Sequence, residues 1–581
     1  MKLKTFEIEN FRGITKLVLD LDSTTVLIGE NNAGKTSVLE ALHTCMNRGL
    51  SRRGVPFAEY DFHLASDDAQ PQESPPLTLT LVFEEEKTDE WPVEVDQAFS
   101  KAVNILADDR KQLIFRVQAK YDKAVKDYTV EWAFLNEKRA ALVSARQPKL
   151  VTDLQSLAPV FLLGAVRDHQ HFSARSPFWS PFTKNADIDD ETRKKIEEEI
   201  GTLNQTILDN HKPFDVVKKA IAKTGTLLQL ADKELVSVEA IPARVFDMLS
   251  RTQMKLGCRT GARLPIGQHG AGTQSLSVLF LFEAFLQSQL TSSYDKQSVP
   301  ILALEEPEAH LHPSAVRALW TTIDQLAGQK IVATHSGELV SAVPLRAIRR
   351  LARKGGKIEV FSIPDGLLTA DEARKVSYHV RAKRGSLMFA KSWLLVEGES
   401  EFWFMPEAAL AVKEDFELAG VSCVEFAQCG LKPLIKMAKA LGIEWHVMTD
   451  ADNAGLEYAR IARAQMGGEP EATRITILPK QDLEHTLWHH GYANVYTAIG
   501  STTPAPQPQA AKKCKNGDPC SHMKPPAVLP VETVMIKRAI SASSKPQMAI
   551  AVVEAVRKAG SVGLPAAISA AIKAAVKNGQ S

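Results

Sequence analysis

The stretch "VLIGENNAGKTSVLEAL", residues 26–42, sets Gly29, Gly34, Lys35 and Thr36 at the spacing Gly-x-x-x-x-Gly-Lys-Thr. An apolar run from Val26 to Ile28 leads into this turn, and Val38, Leu39 and Leu42 recur at helical spacing after it. A glycine loop that opens a helix points its backbone N–H groups inward. The helix N-terminus adds partial positive charge, so the place suits a phosphate. Lys35 is set to reach the β- and γ-phosphates of a nucleoside triphosphate, and the Thr36 hydroxyl to hold Mg²⁺. Asn31, Asn32 and Ser37 complete the candidate nucleotide set.

Acids close two further kinds of apolar run. "ILALEEPEAHLHP" ends a strand-like run in Glu305-Glu306. One carboxylate at such an end can hold Mg²⁺ through water, and its neighbour can orient an attacking water. "ATHSGEL" places His335 where it could hydrogen-bond a γ-phosphate. "GQHGAGTQS", residues 267–275, precedes a helix, so its amides around Gly272 and the Ser275 hydroxyl could grip a phosphate across an interface. Taken alone, it is a glycine-rich turn. Later in the chain Glu397 follows "WLLV", with Glu399 and Glu401 in the next turn, and "HVMTDADNAG" ends in Asp450-x-Asp452. Glu397, Asp450 and Asp452 together make a hard oxygen cage suited to Mg²⁺ or Mn²⁺. Such acids are costly to hold together without cations.

The elements that position these groups follow an α/β order. "KTFEIENF", "LTLTLVF", "LIFRVQAKY" and "YTVEWAFL" make residues 1–166 strand-rich. Residues 167–261 turn helical and read as an insert. Residues 262–389 return to α/β, with a helix through "SLSVLFLFEAFLQSQL", the strand "VPILALEEPE", the strand "KIVATHS" and a basic connector. Residues 390–581 form a second βαβ series containing a Pro-, Ala- and Lys-rich loop at 501–530, read as flexible. Cys514, Cys520 and His522 in that loop match no zinc spacing.

At 581 residues the chain has room for several cores. A hydrophobic fraction of 44% and a charged fraction of 24% are ordinary for a globular protein. The net charge of +1 leaves any nucleic-acid contact to local basic patches, for which "RAIRRLARKGGK" and "HVRAKRG" are candidates, each equally readable as a solvated helix face. The six scattered cysteines, the lack of a signal peptide and the lack of a bilayer-long apolar run lead us to expect a cytoplasmic protein with no membrane contact.

The phosphate loop, Glu305-Glu306, His335, the 267–275 loop and the opening "IENFRG" together resemble the ABC-type ATPases of the SMC and RecF group. The resemblance implies ATP sandwiched in a homodimer, with Gly272 and Ser275 of one subunit completing the site of the other. Two features depart from that group: no Leu-Ser-Gly-Gly-Gln signature and no coiled-coil arm. Glu397-Gly398 followed by Asp450-x-Asp452 looks like a Toprim domain, and the fusion of the two resembles the OLD (overcoming lysogenization defect) family nucleases. The fold implied is α/β: an SMC/RecF-like ABC ATPase domain with an inserted helical dimerisation segment, then a C-terminal Toprim domain. The family also implies a later acid and a lysine near the C-terminus, for which Glu484 and Lys545 are carried over, ahead of Asp482 and Ser544. On sequence alone Lys545 is one of many surface lysines.

What this resemblance implies is an ATP-binding endonuclease that cuts DNA by two-metal hydrolysis. Glu397, Glu401, Asp450, Asp452 and Glu484 would hold two Mg²⁺ or Mn²⁺ ions; Glu306, His335 and Lys545 would act on the chemistry. The family is associated with phage defence, sometimes with a helicase encoded nearby. Two other readings stay open: a nucleotide-gated sensor with an inactive Toprim module, and another Toprim enzyme such as a topoisomerase or primase.

Overall fold

Alternating apolar and polar side chains in the first third of the chain build an antiparallel sheet, as period-two patterning requires of strands with one buried face. In the computed structural model Lys2–Phe11 pairs with Leu77–Glu84, which pairs with Lys111–Asp122, which in turn pairs with Asp127–Leu135, all antiparallel. The structure describes the whole chain except residues 47–55, 67, 146–147, 168, 174–175, 185–187, 211–212, 214–238, 243, 250–251, 258–260, 384, 503–528, 559–561 and 581. Much of the expected helical insert and nearly all of the expected loop at 501–530, with Cys514, Cys520 and His522, therefore lie outside the described residues. Contacts divide the chain into two units interleaved along the sequence: Met1–Arg12, Asp20–Thr24 and Thr36–Ala333; and Gly13–Leu19, Thr25–Lys35 and Thr334–Ser581.

Besides the antiparallel strands, the first unit has a parallel set. Ile301–Glu305 lies between Val160–Leu163 and Gln329–Ala333. Ile301, Leu302, Ala303 and Leu304 are all at most 1% exposed, which explains a continuous apolar run in place of alternation. Helix Ala271–Ser288 packs Phe282 and Phe285 edge-on against Phe161 at centroid distances of 5.6 Å. Helix Asp190–Asp209, inside the expected insert, is capped by Asp189, whose side chain accepts from the Thr192 N–H at 2.8 Å.

In the second unit Ile348–Lys354 pairs in parallel with Thr24–Gly29, the strand that leads into the phosphate loop, and antiparallel with Lys357–Ser362. This corrects one expectation. The basic stretch "RAIRRLARKGGK" is no solvated helix face: Arg349 is 8% exposed and Arg350 only 2%, so neither is displayed for a nucleic-acid backbone. A separate sheet follows, all parallel, in the order Val421–Glu425, Ser392–Val396, Glu444–Thr449, Ile475–Ile477. Phe404, Met405, Tyr496, Val552 and Ile572 from the covering helices fill its core. Burying a side chain such as Phe404, 0% exposed, contributes roughly 2–3 kcal/mol. No helix among the described residues is long and apolar enough to cross a membrane.

His446 in the third of these strands is 0% exposed. Its Nδ1–H donates to the Thr473 carbonyl at 3.0 Å, since a carbonyl can only accept, and its Nε2 accepts from the Thr476 hydroxyl at 2.9 Å. Burial, with repulsion from Arg474, lowers its pKa to about 4. A histidine whose folded pKa lies below its unfolded one stabilises the fold above the unfolded pKa, and that stabilisation is lost as the pH falls toward the folded value. Urea unfolding of the chain is thus expected to lose roughly 3 kcal/mol between about pH 6.5 and pH 4 through this residue. His446→Gln should flatten that part of the profile. An unchanged slope would show that His446 does not set it.

Candidate active site

Two sets of functional groups can be built from these elements. In the first unit, the strand Ile301–Glu305 stops at Glu305, and Glu306 turns off with a φ of +42°, a left-handed backbone uncommon for glutamate and found most often at functional sites. The corner is held from two sides. The Glu306 N–H donates to the Ala333 carbonyl at 2.8 Å. The Arg167 guanidinium donates to the Glu305 carbonyl, to the Glu306 carbonyl at 3.3 Å and to the Ser275 hydroxyl at 3.1 Å. Burial lowers the Arg167 pKa to about 10, opposed by the attraction of Glu308, Glu305 and Glu306. The Thr36 hydroxyl donates to the Glu305 carboxylate, so the two groups assigned to one Mg²⁺ are in contact.

Ser275 departs from expectation. It is 3% exposed and its hydroxyl accepts from Arg167, so it faces its own chain and not a second subunit. The reason is its place in the first turn or so of helix Ala271–Ser288, on the side facing the core. Gly272 lies nearer the helix start; a Cβ there would come within 2.6 Å of the His310 carbonyl oxygen.

In the second unit Lys35 is 5% exposed, and its Nζ donates to the carbonyls of Gly29 at 2.9 Å and Glu30 at 2.8 Å. Asn31 and Asn32 are exposed at the loop tip, Asn32 with a φ of +65°, and Ser37 is half-buried in the helix that follows. His335 is exposed just after the strand Gln329–Ala333 and stacks near Phe389, with centroids 6.4 Å apart.

The second set of groups lies at the C-terminal ends of the parallel strands. The chain runs from Ser392–Val396 to one edge strand, then crosses back to Glu444–Thr449 on the other side. Between those two strands the order reverses, and there an α/β sheet opens a crevice. Glu397 follows the first strand and Asp450 the second. Burial pushes the Asp450 pKa up to about 8, helped by repulsion from Glu401, Glu397, Asp482 and Glu484. Burial raises Glu401 to about 6, with Glu484 adding to it. Burial and Asp452 raise Glu397, while Lys545 opposes the shift. Each carboxylate assigned from the sequence is thus linked to at least one other, Asp452 through Glu397 alone.

Each is held by its local element. Glu401 sits in the first turn of helix Glu399–Ala411, where its Oε2 accepts from the Gly398 N–H at 3.2 Å. Asp452 caps helix Asn453–Arg463 by accepting from the Gly455 N–H at 2.7 Å. Glu484 lies in the first turn of helix Leu483–Leu487; it is 7% exposed and accepts from the Ser400 hydroxyl at 3.1 Å. Asp482 caps the same helix and meets His485 Nδ1 at 2.6 Å; His485 Nε2 reaches the Thr533 hydroxyl at 3.1 Å. Ser544 caps helix Lys545–Val556, and Lys545 Nζ stands 3.9 Å from Glu484 Oε1. Glu399 opens the same helix as Glu401.

The donors are all carboxylate oxygens, the chemistry that hard divalent cations take. Glu397 Oε2 is buried without a hydrogen-bond partner, which a cation would supply. The residues thus fit divalent ions, although no group of three or more His, Cys, Asp or Glu among the described residues is drawn in closely enough to hold one.

Reading the sequence missed Ser400, Arg167 and Gly455. A lone serine or arginine carries no pattern, but Gly455 has a visible one, three residues after Asp452. A Cβ there would run into the Asp450 carbonyl oxygen. Gly455→Ala should therefore displace the start of its helix and lower the melting temperature by several degrees, the shift that ~2 kcal/mol of strain gives in a domain of this size. A wild-type melting temperature would show that the close approach is unimportant.

The parallel sheet with acids at its switch point defines a Toprim domain, preceded in the chain by an α/β part that carries the glycine loop and the strand-end glutamates. A family described as a protein of unknown function (DUF2813) matches residues 1–387, two thirds of the chain, and one described as an overcoming lysogenization defect protein-like TOPRIM domain matches residues 388–452. The chain belongs to the first of these families, and its residues 388–452 match the second. It is 28% identical over 554 residues to the uncharacterized protein YbjD of Escherichia coli (strain K12), covering 95% of this chain and 94% of that protein. It is 25% identical to the OLD nuclease of Thermus scotoductus, over 78% of this chain and 82% of that one. It is 21% identical to the endonuclease GajA of Bacillus cereus (strain VD045), over 78% and 75%.

Proposed function

We propose that the protein is a metal-dependent DNA endonuclease governed by an ATP-binding module. The observation that carries this reading is the convergence of Glu397, Glu401, Asp482 and Glu484 on the field at Asp450. A fold tolerates such mutual repulsion where cations or chemistry use it. The nuclease names of the relatives support the same reaction class.

Glu397, Glu401, Asp450, Asp452 and Glu484 would hold two Mg²⁺ or Mn²⁺ ions. Such ions supply an activated water and neutralise the leaving 3′-oxygen. Ser400 orients Glu484 by donating to it. Lys545, beside Glu484 and half-exposed, would donate to a phosphate oxygen and offset charge as it builds in the transition state. In the ATPase module, Lys35 would exchange the Gly29 and Glu30 carbonyls for nucleotide phosphates. Thr36 and Glu305 would hold Mg²⁺, Glu306 would orient water and His335 would meet the γ-phosphate. A homodimer would complete that site through the loop and helix start at 270–274, without the Ser275 hydroxyl. The domain limits 1–166, 167–261, 262–389 and 390–581 belong to this reading, as do a role in phage defence and a helicase partner.

The test is supercoiled plasmid incubated with the full chain in Mg²⁺, Mn²⁺ or EDTA, with and without ATP. Nicked or linear DNA in metal alone, and none in EDTA, is expected. Folded protein that binds metal and never cuts would favour an inactive, nucleotide-gated module. A covalent protein–DNA adduct would point to a topoisomerase.

A further inference from the structure

Arg350 is buried, and every hydrogen bond its guanidinium makes stays inside the fold. Its backbone stands beside Ile28 in the parallel pairing with the strand that enters the phosphate loop. The next pair is Leu351 with Gly29, where a Cβ on the glycine would run into the Leu351 carbonyl oxygen; Gly29 has a φ of +146°. The start of the loop is thus packed on this strand without slack.

The guanidinium points the other way. Nη2 donates to the Ala390 carbonyl at 3.0 Å, and Nη1 to the carbonyls of Leu441 at 3.0 Å and Gly442 at 3.2 Å. Ala390 lies two residues before Ser392–Val396, the strand that ends at Glu397. Leu441 and Gly442 lie just before Glu444–Thr449, the strand that ends at Asp450. One planar fork therefore holds the entry points of both strands whose far ends carry the two central acids. Two ion pairs repeat the arrangement. Lys391 meets Glu30 of the phosphate loop at 3.5 Å, and Lys354 meets Glu444 at 3.3 Å.

We infer that Arg350, with the Lys391–Glu30 pair, couples nucleotide occupancy of the phosphate loop to the placement of Glu397 and Asp450. The loop must change its contacts when phosphate arrives, because Lys35 Nζ is engaged by the Gly29 and Glu30 carbonyls and Glu30 is also the partner of Lys391. A shift at the entry of a paired strand passes along it with little loss, since each ladder bond must move with its neighbour. Five residues of strand carry it about 17 Å to the acids. Hydrolysis that depends on carboxylate placement responds to displacements of about 1 Å with rate changes near 100-fold. Arg350 is a positioning residue in this scheme and touches neither nucleotide nor DNA.

The inference rests on the nuclease reading for its consequence, but its test need not. Hydrogen exchange of the full chain, with and without Mg-ATP, is read on peptides covering 392–397 and 444–450. In the wild type, ATP should change exchange there several-fold. Arg350→Lys keeps the charge but loses the fork, and Lys391→Ala removes a half-exposed partner with little risk to folding. Both should bind ATP within about threefold of wild type, yet abolish the exchange response and bring the ratio of cleavage rates with and without ATP toward one. Should Arg350→Lys fail to fold, Lys391→Ala decides. A wild type whose two peptides ignore bound ATP, or variants that respond as the wild type does, overturn the coupling. Absence of cleavage in every metal overturns the nuclease reading, and the exchange experiment still decides the coupling.

Discussion

Asp450→Ala is expected to reduce metal-dependent DNA cleavage at least 1,000-fold, about 4 kcal/mol of lost transition-state stabilisation. The carboxylate stands at the switch point of the parallel sheet and is the group on which the other acids act. Its companion effect has the opposite sign. The folded pKa of Asp450, about 8, lies above the usual aspartate value, so in EDTA its ionisation weighs against the fold increasingly from about pH 4 up to pH 8. Asp450→Asn keeps the shape and removes the charge. In EDTA it should melt above the wild type at pH 8 and no higher at pH 4. Mg²⁺ should raise the melting temperature of the wild type and not that of the variant. Plasmid nicking and thermal scans read both effects. Cleavage that survives in Asp450→Ala would place the active site elsewhere.

Glu306→Gln should slow ATP hydrolysis by a factor of roughly 100 to 1,000 while ATP binding stays within a few-fold of wild type. The substitution is nearly isosteric, and the corner that carries it is fixed through backbone groups: the Glu306 N–H on Ala333 and its carbonyl under Arg167. The left-handed φ of +42° should therefore survive, and only the carboxylate proposed to orient water is lost. Phosphate release measured beside nucleotide titration separates the two effects. Sedimentation of the same variant with ATP should show a dimer that persists, because hydrolysis would be needed to part it. Hydrolysis at the wild-type rate would remove Glu306 from its assigned role, and a monomer at all ATP concentrations would remove the homodimer.

Local pattern by itself determined these elements and where along them the candidate groups fall. "LTLTLVF" and "YTVEWAFL" alternate in sequence and both are strands, although Thr80 and Val82 are buried along with Leu79, Leu81 and Phe83. "ILAL", "WLLV" and "HVMT" are continuous because their parallel strands are covered on both faces, and each ends at the acids it presents. The glycines and Lys35-Thr36 of the phosphate loop are equally local, since the loop and its helix lie within a few residues of one another. Tertiary structure alone decided which side chains serve those groups. Arg350 reads as a basic surface residue until its fork is seen on Leu441, 91 residues away, and Ala390, 40 away. Arg167 clamps Glu306 across 139 residues, and in doing so turns Ser275 inward. Ser400 reaches Glu484 across 84 residues. A hydrogen bond at such separations leaves no period in the sequence. It depends on strand order and helix packing bringing distant residues within about 3 Å, and an arginine or serine is written the same way whether it meets water or three buried carbonyls.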